Sequence, residues 1–506
     1  MWQSILLLTV IVMINCDNVI NTAQGKLRGV PHDGYVLYTG IPYATISNSS
    51  ERFKKGSFAP IWTGIRESEQ LHCSFFSRAE DCLHLDIYVP SKKNSLWPVL
   101  VWVKGGSGTY HPGKLVGQDI IVVIVSHRIG PIGFLGTNDE NVPGNAGVKD
   151  VVLALQWVRD NIVAFKGNSN KVVIAGQSFG AAMVEAVTLS PMSHNLYHGV
   201  ILQSGSILCP WAFNYDMTER AMALGKLISD TDDFTSVLIN SDIGELVSKC
   251  DKLDVPYFPF GIGVETIKSK ERLLDDAPYE LLKHGGRTVP IMIGYNNNEA
   301  YVFATMLRQA NVRKKVSKDL SFLLPEELKF MNEREVKQVV RQIEDMYFKD
   351  NSSLAAALAY HRDAYFVSHI HRSVSLHSSV ADQTVYYYQF SYTGNVGVKP
   401  EPGIVKVGAA HSDELAYLFS DEDLEGDDEA MQQTMVRLWS NFVKFLNPTP
   451  QHSSKPRWEM VDPSNPRLLD IDKEVTMKEF PYKKAVKVWK EIYDKFYYSR
   501  NRITKH

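Results

Sequence analysis

The sequence predicts an α/β fold with a mostly parallel central sheet flanked by helices, and two observations carry that expectation. Short runs rich in β-branched residues, each followed by turn signals, recur at 98–103, 120–126, 171–175, 199–203, 289–294 and 384–392. They are apolar on both faces, as strands covered on both sides by helices must be. Helical periodicity lies between and after them. Val336, Val339, Val340, Ile343 and Tyr347 form one apolar stripe, and Ala485, Val488, Trp489, Ile492 and Phe496 form another. Strands alternating with helices give a layered α/β architecture. Residues 211–380, apart from the strand at 289, read as mainly helical and are expected to cap the sheet. The acidic, glycine-broken stretch 421–429 reads as an exposed loop.

The chain has 506 residues, 44% of them hydrophobic, enough for a large core. No internal repeat and no Pro-rich or Gly/Ser-rich tract marks a linker, so 17–506 is expected to form one domain. Residues 1–16 read as a signal peptide. The apolar run from Ile5 to Ile14 is too short for a bilayer, which needs about 20 residues, but it suits an export signal, although no Lys or Arg precedes it. The protein is therefore expected to be secreted and extracellular. If Cys16 leaves with the leader, Cys73, Cys82, Cys209 and Cys250 remain, and an even count in an oxidising compartment favours bridging. Asn48 and Asn351 head Asn-x-Ser sequons and are candidate glycosylation sites. A net charge of −3 gives no electrostatic reason to expect nucleic acid as a partner. The C-terminal residues Asn-Arg-Ile-Thr-Lys-His carry no apolar tail, so no transmembrane or lipid anchor is expected.

The chemistry starts at Gly176-Gln177-Ser178-Phe179-Gly180, which joins the strand at 171–175 to an Ala-rich helical stretch. Glycines two residues to either side of a serine are what a sharp strand-turn-helix elbow requires, because close packing leaves no room for Cβ atoms. Ser178 would then stand exposed as a nucleophile. A serine hydroxyl needs a base to take its proton, and the base needs an acid to fix its tautomer. Glu299 follows the buried run 289–294, at the strand end where α/β active sites form, and His411 sits in the small-residue loop Gly408-Ala-Ala-His411. Upstream, Lys104-Gly105-Gly106-Ser107-Gly108 follows a strand. Amides of such a loop, with that of Phe179, would form an oxyanion hole. Neither the full phosphate-loop motif Gly-x-x-x-x-Gly-Lys-Ser/Thr nor His-Glu-x-x-His occurs, since Leu115 follows Gly113-Lys114, so no cofactor and no metal is expected.

Ordered motifs along almost the whole chain resemble the type B carboxylesterase and cholinesterase family of α/β-hydrolases. They include Gln24-Gly-Lys-Leu-Arg-Gly, Gly40-Ile-Pro-Tyr-Ala, Glu80-Asp-Cys-Leu-His-Leu-Asp-Ile-Tyr, the 101–108 loop and His127-Arg-Ile-Gly-Pro-Ile-Gly-Phe-Leu. Gly144-Asn-Ala-Gly, Ala154-Leu-Gln-Trp-Val, the elbow and Leu202-Gln-Ser-Gly-Ser complete the series. The resemblance implies an α/β-hydrolase fold and ester hydrolysis with Ser178, Glu299 and His411 as the triad. It also implies Gly106, Ser107 and Phe179 as oxyanion donors, and a disulfide between Cys73 and Cys82. Gln177 before the serine is similar to insect juvenile hormone esterases and to insect esterases that clear odorants.

The sequence departs from the family pattern at Lys104, where a histidine is usual, and at Ser107, which replaces a third glycine. Phe179 replaces a small residue and would narrow the acyl pocket. The segment between Cys73 and Cys82 is short and holds no Trp, so the choline-binding aromatic site of cholinesterases is expected to be missing. Val151 follows Asp150 where hormone esterases commonly carry Gln. The expected substrate is a small, neutral hydrophobic ester. The alternative is a catalytically weakened family member that binds a hydrophobic ligand or a protein partner.

Overall fold

The structure is a computed structural model that describes residues 18–497 except 72, 75–76, 78–81, 93–95, 107, 254, 256–257, 305–319, 350–353, 400–405 and 451–455. The expected leader, 1–16, lies outside the described residues, as do Ser107 and Asn351.

Among the described residues the central sheet has eleven strands. In chain order they are β1 Val30–His32, β2 Tyr35–Pro42, β3 His84–Pro90, β4 Trp97–Val103, β5 Ile121–Val125 and β6 Gly167–Gln177. The rest are β7 Gly199–Gln203, β8 Ile291–Asn296, β9 Val385–Phe390, β10 Arg467–Ile471 and β11 Thr476–Glu479. Across the sheet they lie in the order β1-β2-β3-β5-β4-β6-β7-β8-β9-β10-β11. Every pairing from β5 to β10 is parallel, and the pairings outside that block are antiparallel. This is the expected mostly parallel sheet. The six expected runs became β4 to β9, because strands buried on both faces are apolar throughout.

The helices that cover the sheet and position the site include α1 Ala146–Asn161, α2 Phe179–Leu189, α3 Ile243–Cys250, α4 Glu333–Ile343, α5 Ser368–Ser378, α6 Gly426–Phe445 and α7 Lys483–Phe496. Successive side chains of a strand point to opposite faces, and β4 divides its residues between two cores accordingly. Val99, Val101 and Val103 pack into one core with Val151 of α1, Met183 of α2, Ile370 of α5 and Trp489 of α7. Leu100 and Trp102 enter the other, with Met435 and Trp439 of α6. Each fully buried Val or Leu is worth roughly 1.5–3 kcal/mol over an exposed one, so the central strands anchor both layers. The stretch 421–429 needs correction. Its second half is the first turn of α6, where Asp427, Asp428 and Glu429 complement the positive end of the helix dipole. Asp428 is also buried, accepting hydrogen bonds from Tyr392, Tyr417 and Asn395.

One buried ion pair ties the loop after β5 to α1. Arg128 donates to both oxygens of Asp150, from Nε at 2.7 Å and Nη2 at 2.5 Å, and its remaining donors reach the carbonyls of Arg52, Lys54 and Ala146. Both side chains are fully enclosed. Removing one partner strands the other charge in the core, which typically costs about 3–5 kcal/mol. Arg128→Met is therefore expected to lower the midpoint of urea unfolding by that equivalent. A midpoint within about 1 kcal/mol of the parent's would show that the pair is not holding this junction.

Cys73 and Cys82 are joined in a disulfide, while Cys209 and Cys250 are free and buried. Asn48 is exposed, with its side-chain oxygen accepting from Ser50. No helix among the described residues is long and apolar enough to cross a membrane.

Candidate active site

Ser178 stands between the end of β6 and the start of α2, with φ 58° and ψ −128°. A non-glycine residue holds such a conformation only where its surroundings impose it. Here the imposition is backbone packing. A Cβ on Gly176 would overlap the Gly180 carbonyl, and one on Gly180 would overlap the Val103 carbonyl. A Cβ on Gly105 would in turn overlap the carbonyl of Gln177. The glycine loop after β4 is thus stacked directly on the elbow, and the Ser178 amide donates to Gln203 at 2.8 Å. Neither the Gly106 nor the Phe179 amide donates to an acceptor among the described residues.

His411 and Glu299 come from different loops that are stitched together. Asn298 donates through its backbone to Ala409 at 2.9 Å, Ala409 donates to the Asn297 side chain at 2.8 Å, and the Asn296 amide side chain donates to Ala410 at 2.6 Å. The result places His411 Nδ1 at 2.5 Å from Glu299 Oε2. Glu299 is fully buried, and its other oxygen accepts from the Asn296 amide at 2.7 Å. Burial opposes the charged imidazolium, but the facing carboxylate of Glu299 outweighs it and holds the His411 pKa above the usual histidine value.

Three side chains at this site were not anticipated. The Gln177 amide nitrogen lies 3.2 Å from His411 Nε2 and 2.9 Å from Ser412 Oγ. Since Nδ1–H donates to Glu299, Nε2 carries the lone pair and accepts from Gln177. No hydrogen bond joins Ser178 Oγ to His411 among the described residues, so Gln177 rather than Ser178 occupies Nε2. Behind Glu299 lies Glu414, also buried, taking hydrogen bonds from Gln203 at 3.1 Å and Asn296 at 2.5 Å. Burial, reinforced by the charge of Glu299, pushes its carboxyl up to about 7. The only local signal for Glu414 was its place three residues after His411 at the start of a helical turn.

Ser178 and His411 open onto one cavity of about 460 Å³, with Lys104 and Gly106 on its wall. A carboxylesterase family model matches residues 16–489. The chain belongs to the carboxylesterase family. It is a carboxylic ester hydrolase. Esterase FE4 of Myzus persicae is 29% identical over 489 residues, covering 86% of this chain and 85% of that protein. Juvenile hormone esterase of Tribolium castaneum is 29% identical over 496 residues, covering 86% and 84%. The crystal structure of juvenile hormone esterase from Manduca sexta, with OTFP covalently attached, superposes with a TM-score of 0.85 at 25% identity, covering 94% of this chain and 99% of that one. These matches establish the α/β-hydrolase fold.

The carboxylesterase lines its cavity largely with apolar side chains, several of them aromatic rings. Phe179 packs edge-on against Phe134, with ring centres 4.9 Å apart, and Trp211, Phe258, Phe260, Phe303 and Phe366 add further rings to the wall. The cavity also has a tryptophan on its wall. Trp211 supplies one from outside the Cys73 to Cys82 segment, its indole nitrogen tied to the Tyr365 carbonyl at 2.8 Å. A second cavity of about 360 Å³ shares Gly106 and reaches Gln177 and Ser412. No cluster of three metal-ligating side chains occurs among the described residues.

Proposed function

We propose that this carboxylesterase is a secreted serine esterase that forms an acyl-enzyme on Ser178, with His411 as general base and then general acid, and Glu299 orienting the imidazole. The observation that carries the reading is the 2.5 Å contact between His411 Nδ1 and Glu299, which leaves Nε2 as the basic nitrogen on the cavity that Ser178 faces. Substrate entry displaces the Gln177 contact and lets Ser178 reach Nε2. The amides of Gly106, Ser107 and Phe179 serve as oxyanion donors, each typically worth a factor of about 100 to 1000. Covalent attachment of a ligand in the Manduca sexta neighbour accords with a nucleophilic mechanism. The apolar run at 5–14 and the Cys73 to Cys82 disulfide support export, and Asn48 and Asn351 are assigned as glycosylation sites.

The aromatic walls favour hydrophobic esters, since each buried methylene contributes about 0.8 kcal/mol. Uncharged esters are preferred to choline esters, because Lys104 sets a positive charge on the cavity wall. The test is labelling with an organophosphorus probe and then peptide mapping. Stoichiometric modification of Ser178 is expected, and modification elsewhere would remove the mechanism.

The state of His411 predicts the pH profile. The base works only as neutral imidazole, so kcat/KM for a non-ionising ester falls as pH drops through the folded pKa. Glu299 raises that pKa, placing the midpoint of the acid limb above the ordinary histidine value of about 6.5. Each further unit of pH below the midpoint costs about tenfold. A profile flat from pH 5 to 8 would exclude His411 as the base.

A further inference from the structure

Lys104 departs from the family pattern of the glycine loop, and its setting is unusual for a lysine. It is half-buried on the wall of the cavity that holds Ser178 and His411, directly before Gly105 and Gly106. An ammonium has three N–H donors, but among the described residues Nζ has one hydrogen-bond partner, Ser126 Oγ at 3.1 Å, which lines the same cavity. No carboxylate among the described residues stands at ion-pair distance. Asp86 acts on Lys104 only through its more distant charge, and burial still pulls the lysine's pKa below the ordinary value. The other charged groups on the wall are His411, already paired with Glu299, and Asp251, which is exposed to solvent. His127, also on the wall, has both ring nitrogens against backbone carbonyls, of Arg128 at 3.1 Å and of Lys104 itself at 2.9 Å, and burial holds its pKa down.

A partly desolvated cation with unused donors is costly unless something completes it. A carboxylate does so best, because a hydrogen bond between opposite charges is roughly twice as strong as a neutral one. We propose that Lys104 is a specificity-determining residue that binds a carboxylate carried by the ester substrate, so that the preferred substrates combine an apolar body with one anionic end. The assignment rests on the ester-hydrolase reading of this cavity and names the substrate class for it. Lys104 and Gly106 are two residues apart, so their Cα atoms are separated by no more than about 7 Å. The carboxylate therefore lies a few methylenes from the ester bond.

The experiment compares two series by pH-stat. In one, butyl half-esters of succinic, glutaric and adipic acid are set against the same compounds with the free acid converted to its primary amide. In the other, butyrate esters of short hydroxy acids are set against their amides, which moves the carboxylate to the alcohol side. In the wild type, kcat/KM is expected to favour the carboxylate by about tenfold to a hundredfold in one series, which tells the side on which Lys104 acts. The ratio is expected to fall to one or below in Lys104→Met and to recover in Lys104→Arg. A wild-type ratio at or below one in both series overturns the proposal without any variant. A ratio unchanged in Lys104→Met also overturns it. Hydrolysis of the amide compounds, with Ser178 still labelled, separates either failure from a failure of the ester-hydrolase reading.

Discussion

Replacing Ser178 with alanine is expected to lower kcat for a simple acetate ester by about four to six orders of magnitude while leaving the far-ultraviolet circular dichroism unchanged. The size reflects the loss of the covalent route. Without the hydroxyl the proposed acyl-enzyme cannot form, so water must attack the ester directly, with only the proposed oxyanion donors and substrate binding to assist it. The fold has no reason to change with it. The strained backbone at Ser178 is imposed by the packing of Gly105, Gly176 and Gly180 and by the bond to Gln203, none of which uses the hydroxyl. Activity within tenfold of the parent would mean that another group attacks the ester.

Glu299→Gln is expected to reduce kcat by about 10⁴ with little change in KM. A glutamine keeps the shape and can still accept from the Asn296 amide with its carbonyl oxygen. Its amide nitrogen then faces His411 and donates to Nδ1, which moves the imidazole proton to Nε2 and leaves no base toward Ser178. The same change removes the main influence holding the His411 pKa up, so any residual activity should show its acid limb at lower pH than the parent. A loss of less than tenfold, or an acid limb that stays in place, would count against Glu299 as the orienting acid. Glu414 would then be the carboxylate to replace next.

How much of the molecule was legible in the sequence depended on whether a signal was local. Strands β4 to β9 were readable because each is apolar on both faces. Strands β1, β2 and β11 were not, since exposure breaks the apolar pattern, as in Val30–His32, where all three residues face solvent. Strands β3 and β10 were not because polar residues such as His84, Asp86 and Asp470 interrupt their largely buried runs. The acidic start of α6 resembled a loop because composition does not distinguish an exposed turn from a helix N-terminus rich in Asp and Glu. In the site, the elbow could be read because its glycines flank Ser178 at fixed offsets. Glu299 and His411 could be read as the carboxylate after a buried strand and the histidine in a loop of small residues. The Gln177 contact with His411 could not, because 234 residues separate them and only the closed sheet brings them together. Glu414 had a position but no visible environment, and its burial depends on Gln203, Asn296 and Glu299, which come from two other strand ends.

The stitching of the 296–299 loop to the 409–411 loop bears on how activity appears as the chain folds. Ser178, Glu299 and His411 come after β6, β8 and β9, and the last two are joined only when their loops close over a stretch of more than 100 residues. Contacts of such long sequence separation form late and slowly compared with local helices. A refolding chain should therefore regain most of its helical signal while still inert toward substrate. The delay between the two recoveries measures the time this sheet needs to complete itself.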